Sequence, residues 1–316
     1  MDDCTSPSLL LHPNSSFHCH ESKSKNLILF ICNLPSSASL EFACRSPSCG
    51  ALHKNEQSVH DESEDEECYV DPNFFDNGYT MAGATGFTVW TGTRLLIEAL
   101  CWSTENHSDV LKDIQSRILD SKVIELGAGV GVVGTYLAAS GGQVLVTDLP
   151  TLVENAIDDN LKRNEIKYNN KDDAPSWLGS HCHKIGKGWA SSASLDWTVP
   201  IHEQLTPNQC QSIDFIVASD VVFLVSMLKS LLYTVSSLFA SSAANDPSFI
   251  LSFQRRDSQE GEDSASFTTV NRVIREVKDR GWKMTCLAWR PVVVLKEKGE
   301  KVVEEQSQVF VFEIKP

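Results

Sequence analysis

Apolar residues along this chain fall into short continuous runs, and between the runs they recur at helical spacing. The runs predict strands at Val123–Leu126, Gln143–Asp148, Ile213–Asp220, Phe249–Phe253, Trp282–Leu287 and Val309–Ile314, with a weaker strand-like piece at Ala193–Trp197. The helical spacing predicts helices over Leu95–Trp102, Asp109–Ile118, from near Val130, from Pro150 to about Asn164, Leu224–Ala240 and Phe267–Arg280. Residues 165–188 read as a loop. The alternation of strand and helix predicts an α/β fold: a doubly wound, mostly parallel seven-strand sheet. Its last two strands follow one another without a helix. The charged turn Lys296–Lys301 joins them, which predicts an antiparallel hairpin at the sheet edge.

Ahead of this pattern the chain has a different character. Leu27–Ile31 can form a strand, but Ser-rich and Pro-containing stretches surround it, and His60–Glu67 is a like-charge run that should stay solvated. Residues 1–70 are therefore expected as an appended segment with an acidic linker, and residues 71–316 as the main domain. Asp71–Tyr79 and Gly83–Gly86 are turn-rich and lead to Trp90 and the first helix.

Charge and cysteine usage narrow the classes. A net charge of −15 over 316 residues disfavours a phosphate-binding surface and so a nucleic-acid partner. The longest apolar run, Leu27–Leu34, is too short to span a bilayer and contains Cys32 and Asn33, so no membrane role is expected. The acidic start, Met1–Cys4, lacks the basic and apolar regions of a secretory signal, which places the ten cysteines in a reducing compartment. The cytoplasm is the default, with the nucleus open. Six cysteines precede residue 69 beside several histidines, but no Cys-x-x-Cys pair occurs, and Cys44, Cys49 and His53 lack the spacing of a zinc module. No metal is expected.

The chemistry concentrates at Val123-Ile124-Glu125-Leu126-Gly127-Ala128-Gly129-Val130-Gly131-Val132-Val133-Gly134 and the strand ending at Asp148. Strand, glycine turn, helix and second strand make one βαβ unit. Its glycines let the backbone approach a ligand, and a carboxylate at the tip of the second strand can take both hydroxyls of a ribose. A nucleoside ligand is expected. Gly129-x-Gly131-x-x-Gly134 with Asp148 also satisfies the dinucleotide fingerprint. Glu125 is the departure from it, an acid where dinucleotide folds keep an apolar residue.

These motifs, together with Trp90-x-Gly92, Thr147-Asp148-Leu149-Pro150, Leu195-Asp196-Trp197 and Asp220-x-x-Phe223, resemble the seven-strand methyltransferases that use S-adenosylmethionine. Within them the chain is most similar to family-16 (methyltransferase-like 21 type) protein lysine methyltransferases, over roughly residues 85–315. The resemblance implies a Rossmann-like class I methyltransferase fold and S-adenosylmethionine as cofactor. It implies cofactor contacts from Trp90, Glu125, Gly127, Ala128 and Gly129, with Asp148 on the ribose and Trp197 and Ser219 flanking the adenine. Asp220 and Phe223 carry the acid-x-x-aromatic motif of the catalytic end: Asp220 would orient the lysine amine and Phe223 would wall its channel. Ser219 stands where the family often has Ala, and Phe223 replaces the commoner Tyr, removing a hydroxyl. The implied partner is a protein presenting a lysine, met by a monomer.

Three other readings share parts of the pattern. A methyltransferase for small molecules or nucleic acid would share the cofactor half, but the chain lacks an Asn-Pro-Pro-Tyr or Asp-Pro-Pro-Tyr motif. A dinucleotide oxidoreductase is opposed by Glu125 and the hairpin ending. A catalytically inactive interaction protein of the same fold is opposed by the intact glycines and Asp148.

Overall fold

A computed structural model of the chain describes residues 9–10, 19–24, 27–36, 38–45, 85–102, 108–167, 173–255, 268–298 and 301–316. The acidic run, the turn-rich stretch Asp71–Tyr79, and Cys49 and His53 lie outside them.

The strands are β1 (Leu9–Leu10), β2 (Cys19–Ser24), β3 (Leu27–Asn33), β4 (Ser39–Arg45), β5 (Lys122–Leu126), β6 (Gln143–Asp148), β7 (His183–Ile185), β8 (Gly188–Ser194), β9 (Phe215–Ser219), β10 (Ser248–Gln254), β11 (Lys283–Lys298) and β12 (Lys301–Lys315). The main helices are α1 (Thr91–Cys101), α2 (Asp109–Ile118), α3 (Val132–Ser140), α4 (Asp158–Arg163), α5 (Val225–Ser241) and α6 (Val270–Asp279). Ser108 caps α2, its side chain accepting from Leu111 N. The helix expected to start at Pro150 is continuous in direction, but it widens into a π turn over Val153–Ile157 before α4.

One sheet runs β1-β11-β12-β10-β9-β5-β6-β8-β7. Its centre, β10-β9-β5-β6-β8, is parallel, and β12 pairs antiparallel with both β10 and β11. The seven expected strands are present in doubly wound order with the closing hairpin. Two short edge strands, β1 and β7, extend the sheet to nine. β7 falls in the stretch read as a loop; three residues are too few for an alternation to show. β8 begins five residues before the expected Ala193, because Gly188-Trp189-Ala190-Ser191-Ser192 are mostly small residues with no apolar rhythm. β11 continues past the expected Leu287 and through Pro291, at a point where β12 pairs one side of it and β1 has already ended. Proline is tolerated on such an edge.

The central strands are buried on both faces, which is why they read as continuous apolar runs. Val123, Val144, Val146, Phe215, Val217 and Ile250 pack toward α1, α2 and α3. Ile124, Leu126, Leu145, Ile216, Ala218, Phe249 and Leu251 pack toward α5 and α6. Among the described residues no helix is long and apolar enough to cross a membrane, and no group of three or more His, Cys, Asp or Glu could hold a metal ion.

Part of the segment expected as an appendage before residue 70 packs on the main domain. β2, β3 and β4 form a second antiparallel sheet, and Phe30, Cys32, Leu34, Leu40, Phe42 and Cys44 are buried in the same core as α1 and α3. Alternation of these apolar positions gives the small sheet one buried face. Polar clasps then fix it. Asn160 accepts from Ala43 N (2.8 Å) and donates to Ala43 O (3.2 Å) and Val130 O (2.9 Å); Asn164 accepts from Glu41 N (2.9 Å) and donates to Glu41 O (2.8 Å). The two amides, one helical turn apart, complete the free edge of β4 as a neighbouring strand would. Tyr136 of α3 donates to Asn33 O (2.6 Å).

Asn160→Ala leaves one buried and two half-buried backbone groups without these partners and should destabilise the protein by about 2 kcal/mol in urea denaturation. Asn155→Ala, which removes one partly exposed hydrogen bond to Thr151 O, should stay within about 0.5 kcal/mol of the wild type.

Candidate active site

Four parallel strands end beside one another, and the loops leaving them surround a cavity of about 490 Å³, within the range of small-ligand sites. β5 contributes Gly127, Ala128 and Gly129; β6 contributes Asp148; the turn after β8 contributes Trp197; β9 contributes Ser219 and Asp220; Phe223 follows. Trp90, the residue before α1, completes the ring, with its indole N–H donating to Thr85 O at 3.0 Å. Every expected site residue except Glu125 lines this one cavity.

The glycine turn is shaped by positive φ angles, +66° at Gly127 and +60° at Gly129, which a side chain would strain. Gly129 N donates to Asp148 Oδ2 and Leu149 N to Asp148 Oδ1, both at 2.7 Å. Two backbone amides therefore hold the carboxylate at the cavity wall, and each oxygen keeps a second lone pair for a ligand hydroxyl. Burial pushes the Asp148 carboxyl up to about 6, against the pull of those two hydrogen bonds.

Glu125 lies elsewhere. Its side chain is 1% exposed and sits beneath the turn, with Oε2 accepting from Gly134 N at 2.8 Å. Gly134 is the third residue of α3, so the chain's own carboxyl group occupies the helix end at which a pyrophosphate would bind. A Cβ at Gly134 would stand 2.5 Å from that oxygen, so the last glycine of the motif makes room for Glu125. Burial raises the Glu125 carboxyl to about 8, the Gly134 N–H opposes the rise, and the charge of Asp148 adds to it.

Trp197 is presented by a turn that Gln204 holds: Asp196 N donates to Gln204 Oε1 (2.7 Å) and Gln204 Nε2 donates back to Asp196 O (2.8 Å). Ser219 Oγ is 2.9 Å from Thr93 Oγ1. Asp220, 6% exposed and at φ +55°, accepts from Gly92 N on Oδ2 (2.5 Å) and from Gln254 N on Oδ1 (2.7 Å). It caps a helix, as an acid at the end of a strand can. The helix is α1, 128 residues back in the sequence, while α5, which follows Asp220, starts from Leu224. Phe223 is partly buried, and its carbonyl accepts from Thr268 N at 3.0 Å.

Sequence reasoning did not single out Thr93, Leu152, Val221 or Met227, which also line the cavity. Thr93 stands one residue past the Trp90-x-Gly92 motif and could have been included with it; Leu152, Val221 and Met227 carried no signal beyond ordinary helix and loop composition. Among the described lining residues the charged ones are Asp148, Asp196 and Asp220. All are acidic.

The sequence model described as lysine methyltransferase matches residues 77–272 of this chain. The chain belongs to the lysine methyltransferase family. The residues proposed for the site, from Trp90 to Phe223, all fall within the region matched to this family. Among its curated relatives, the mouse (Mus musculus) protein-lysine methyltransferase METTL21E is 30% identical over 153 residues, which is 48% of this chain and 51% of that protein. Mouse EEF1A lysine methyltransferase 3 is 30% identical over 148 residues, 46% of this chain and 53% of the relative. The chain thus spans about half the length of the curated relatives it matches. Among solved structures, magnesium protoporphyrin IX methyltransferase from Synechocystis PCC 6803 with bound SAH aligns over 77% of this lysine methyltransferase family member and 97% of that chain, at 12% identity and a TM-score of 0.43.

The raised value of Glu125 has a signed consequence. The fold accommodates its protonated form, so the stability tied to this group is full below its ordinary value of 4.5 and is lost as pH rises toward about 8. Glu125→Gln keeps an acceptor for Gly134 and cannot ionise. Between pH 5 and 8 the wild type should lose stability relative to this variant in urea titrations; parallel pH profiles for the two proteins would refute the assignment.

Proposed function

We propose that this protein is an S-adenosylmethionine-dependent methyltransferase that modifies a lysine side chain on a protein substrate. The observation that carries the reading is the charge of the cavity: its described lining offers carboxylates and no basic group, while the end of α3 is already taken by Glu125. A pyrophosphate is poorly served there. A nucleoside bearing a positive charge is well served, and Asp148 is held where two ribose hydroxyls can donate to it. The lysine specificity is supported by the family and by the names of the relatives.

When bound, S-adenosylmethionine supplies a methyl group on a positively charged sulfur that a neutral amine can displace. The residues present fit it. Positive-φ Gly127 and Gly129 let the backbone pass close to the ligand, Trp197 and Ser219 offer a flat and a small wall for a base, and Trp90 adds a further aromatic wall. Phe223 and Met227 line the part of the cavity beside the start of α5, where an apolar wall suits the methylene stem of an entering lysine. The lysine must arrive neutral, and desolvation against these walls lowers its pKa so that the proton is given up to water. With no phenol at position 223, no residue there shares the amine by a hydroxyl hydrogen bond. Positioning and exclusion of water supply the remaining acceleration. Action as a monomer in the cytoplasm or nucleus completes the reading.

Calorimetric titration should show binding of S-adenosylmethionine and S-adenosylhomocysteine and none of NAD, with Asp148→Ala weakening binding about a hundredfold through the loss of two hydrogen bonds to a charged group. Incubation with cell extract and methyl-labelled cofactor should then yield labelled methyllysine after hydrolysis. Binding of NAD instead would return the site to the oxidoreductase reading.

A further inference from the structure

Asp220 is joined to more of the molecule than a ligand-contacting carboxylate requires. Its Oδ2 accepts from Gly92 N, the second residue of α1, and its Oδ1 from Gln254 N, the last residue of β10. Its own N–H donates to Ser252 O at 2.7 Å. Ser252 in turn donates through Oγ to Gly92 O at 2.9 Å and is fully buried outside the cavity lining. The four bonds form a closed lattice among α1, β9 and β10.

What α1 lacks makes the lattice consequential. The residue before it, Trp90, has no side-chain oxygen to cap the helix, and its first turn carries no acid. The end of α1 depends on a carboxylate from the residue that follows β9, where an N-terminal cap and the helix dipole favour one. Asp tolerates the left-handed backbone at φ +55° that aims it there. The same turn of α1 carries Trp90 and Thr93 into the cavity, and Thr93 meets Ser219.

We propose that Asp220 is a positioning residue: by capping α1 and tying it to β10 through Ser252, it sets the cavity wall formed by Trp90 and Thr93, and so the affinity for the nucleoside cofactor. This rests on the cofactor reading given above and assigns Asp220 a part in it that needs no contact with the lysine amine. Ser252 then belongs to the same device, although it touches no ligand.

The test is calorimetric titration of S-adenosylhomocysteine into the full chain at 10 °C, well below unfolding, so that a loss of global stability alone leaves the dissociation constant unmoved. Asp220→Asn keeps one acceptor and tolerates the backbone angle, but it faces one of the two N–H donors with a third. It should weaken binding about tenfold, and Ser252→Ala about threefold, as expected for one or two hydrogen bonds transmitted to the site. Ser252→Ala decides alone if Asp220→Asn does not fold. Wild-type affinity in Ser252→Ala, or in Asp220→Asn, would overturn the positioning role; a weakened Asp220→Asn beside an unchanged Ser252→Ala assigns Asp220 a direct ligand contact instead. If the wild type binds no S-adenosylhomocysteine while remaining folded, the cofactor reading itself fails, and the inference with it.

Discussion

A carboxyl group buried under a glycine turn governs what this fold can hold. A βαβ unit with three spaced glycines is a general device, and the positive end of its helix ordinarily welcomes phosphate. Here Glu125 takes the Gly134 amide from below. The turn keeps its positive-φ glycines, and one of the first N–H groups of the helix is already used within the chain. Asp148, held by Gly129 and Leu149, then faces a cavity in which the other charged residues among the described lining, Asp196 and Asp220, share its sign.

Around this turn the protein distributes its supports widely. α3 is steadied at its back by the small sheet through Tyr136 and Asn33, and the carbonyl of Val130 is held by Asn160. α1 is steadied by Asp220 and Ser252. The cavity therefore has walls that are short in sequence and anchors that are long in sequence. Such an arrangement suits a site that must hold its geometry before its ligand arrives, since ordering the walls at the moment of binding would subtract from affinity.

Much of this was legible in the residues. α2 has its expected bounds because Ser108 and an amphipathic repeat mark them locally, and β6 has its own because four consecutive buried residues end at a carboxylate. The glycines and Asp148 announced the turn for the same reason: their signals are contained within a few positions. What was not legible depended on partners far away. Nothing near Asp220 indicates that its carboxylate reaches Gly92, and nothing near Asn160 indicates that its amide serves β4. β8 hid because small residues packed against α3 carry no apolar rhythm. Glu125 was noticed as an oddity of the motif; that its side chain turns away from the ligand needed the third dimension.

The clasp between β4 and α4 also has a meaning in time. Ala43 and Glu41 find their partners 117 and 123 residues later in the chain, and contacts so distant are slow to form. On the ribosome, β4 emerges well before α4, and its polar edge stays unmatched until the helix bearing Asn160 and Asn164 has been made. The clasp thus makes the edge of the small sheet, and with it part of the support behind the glycine turn, wait for a segment 117 to 123 residues further along the chain.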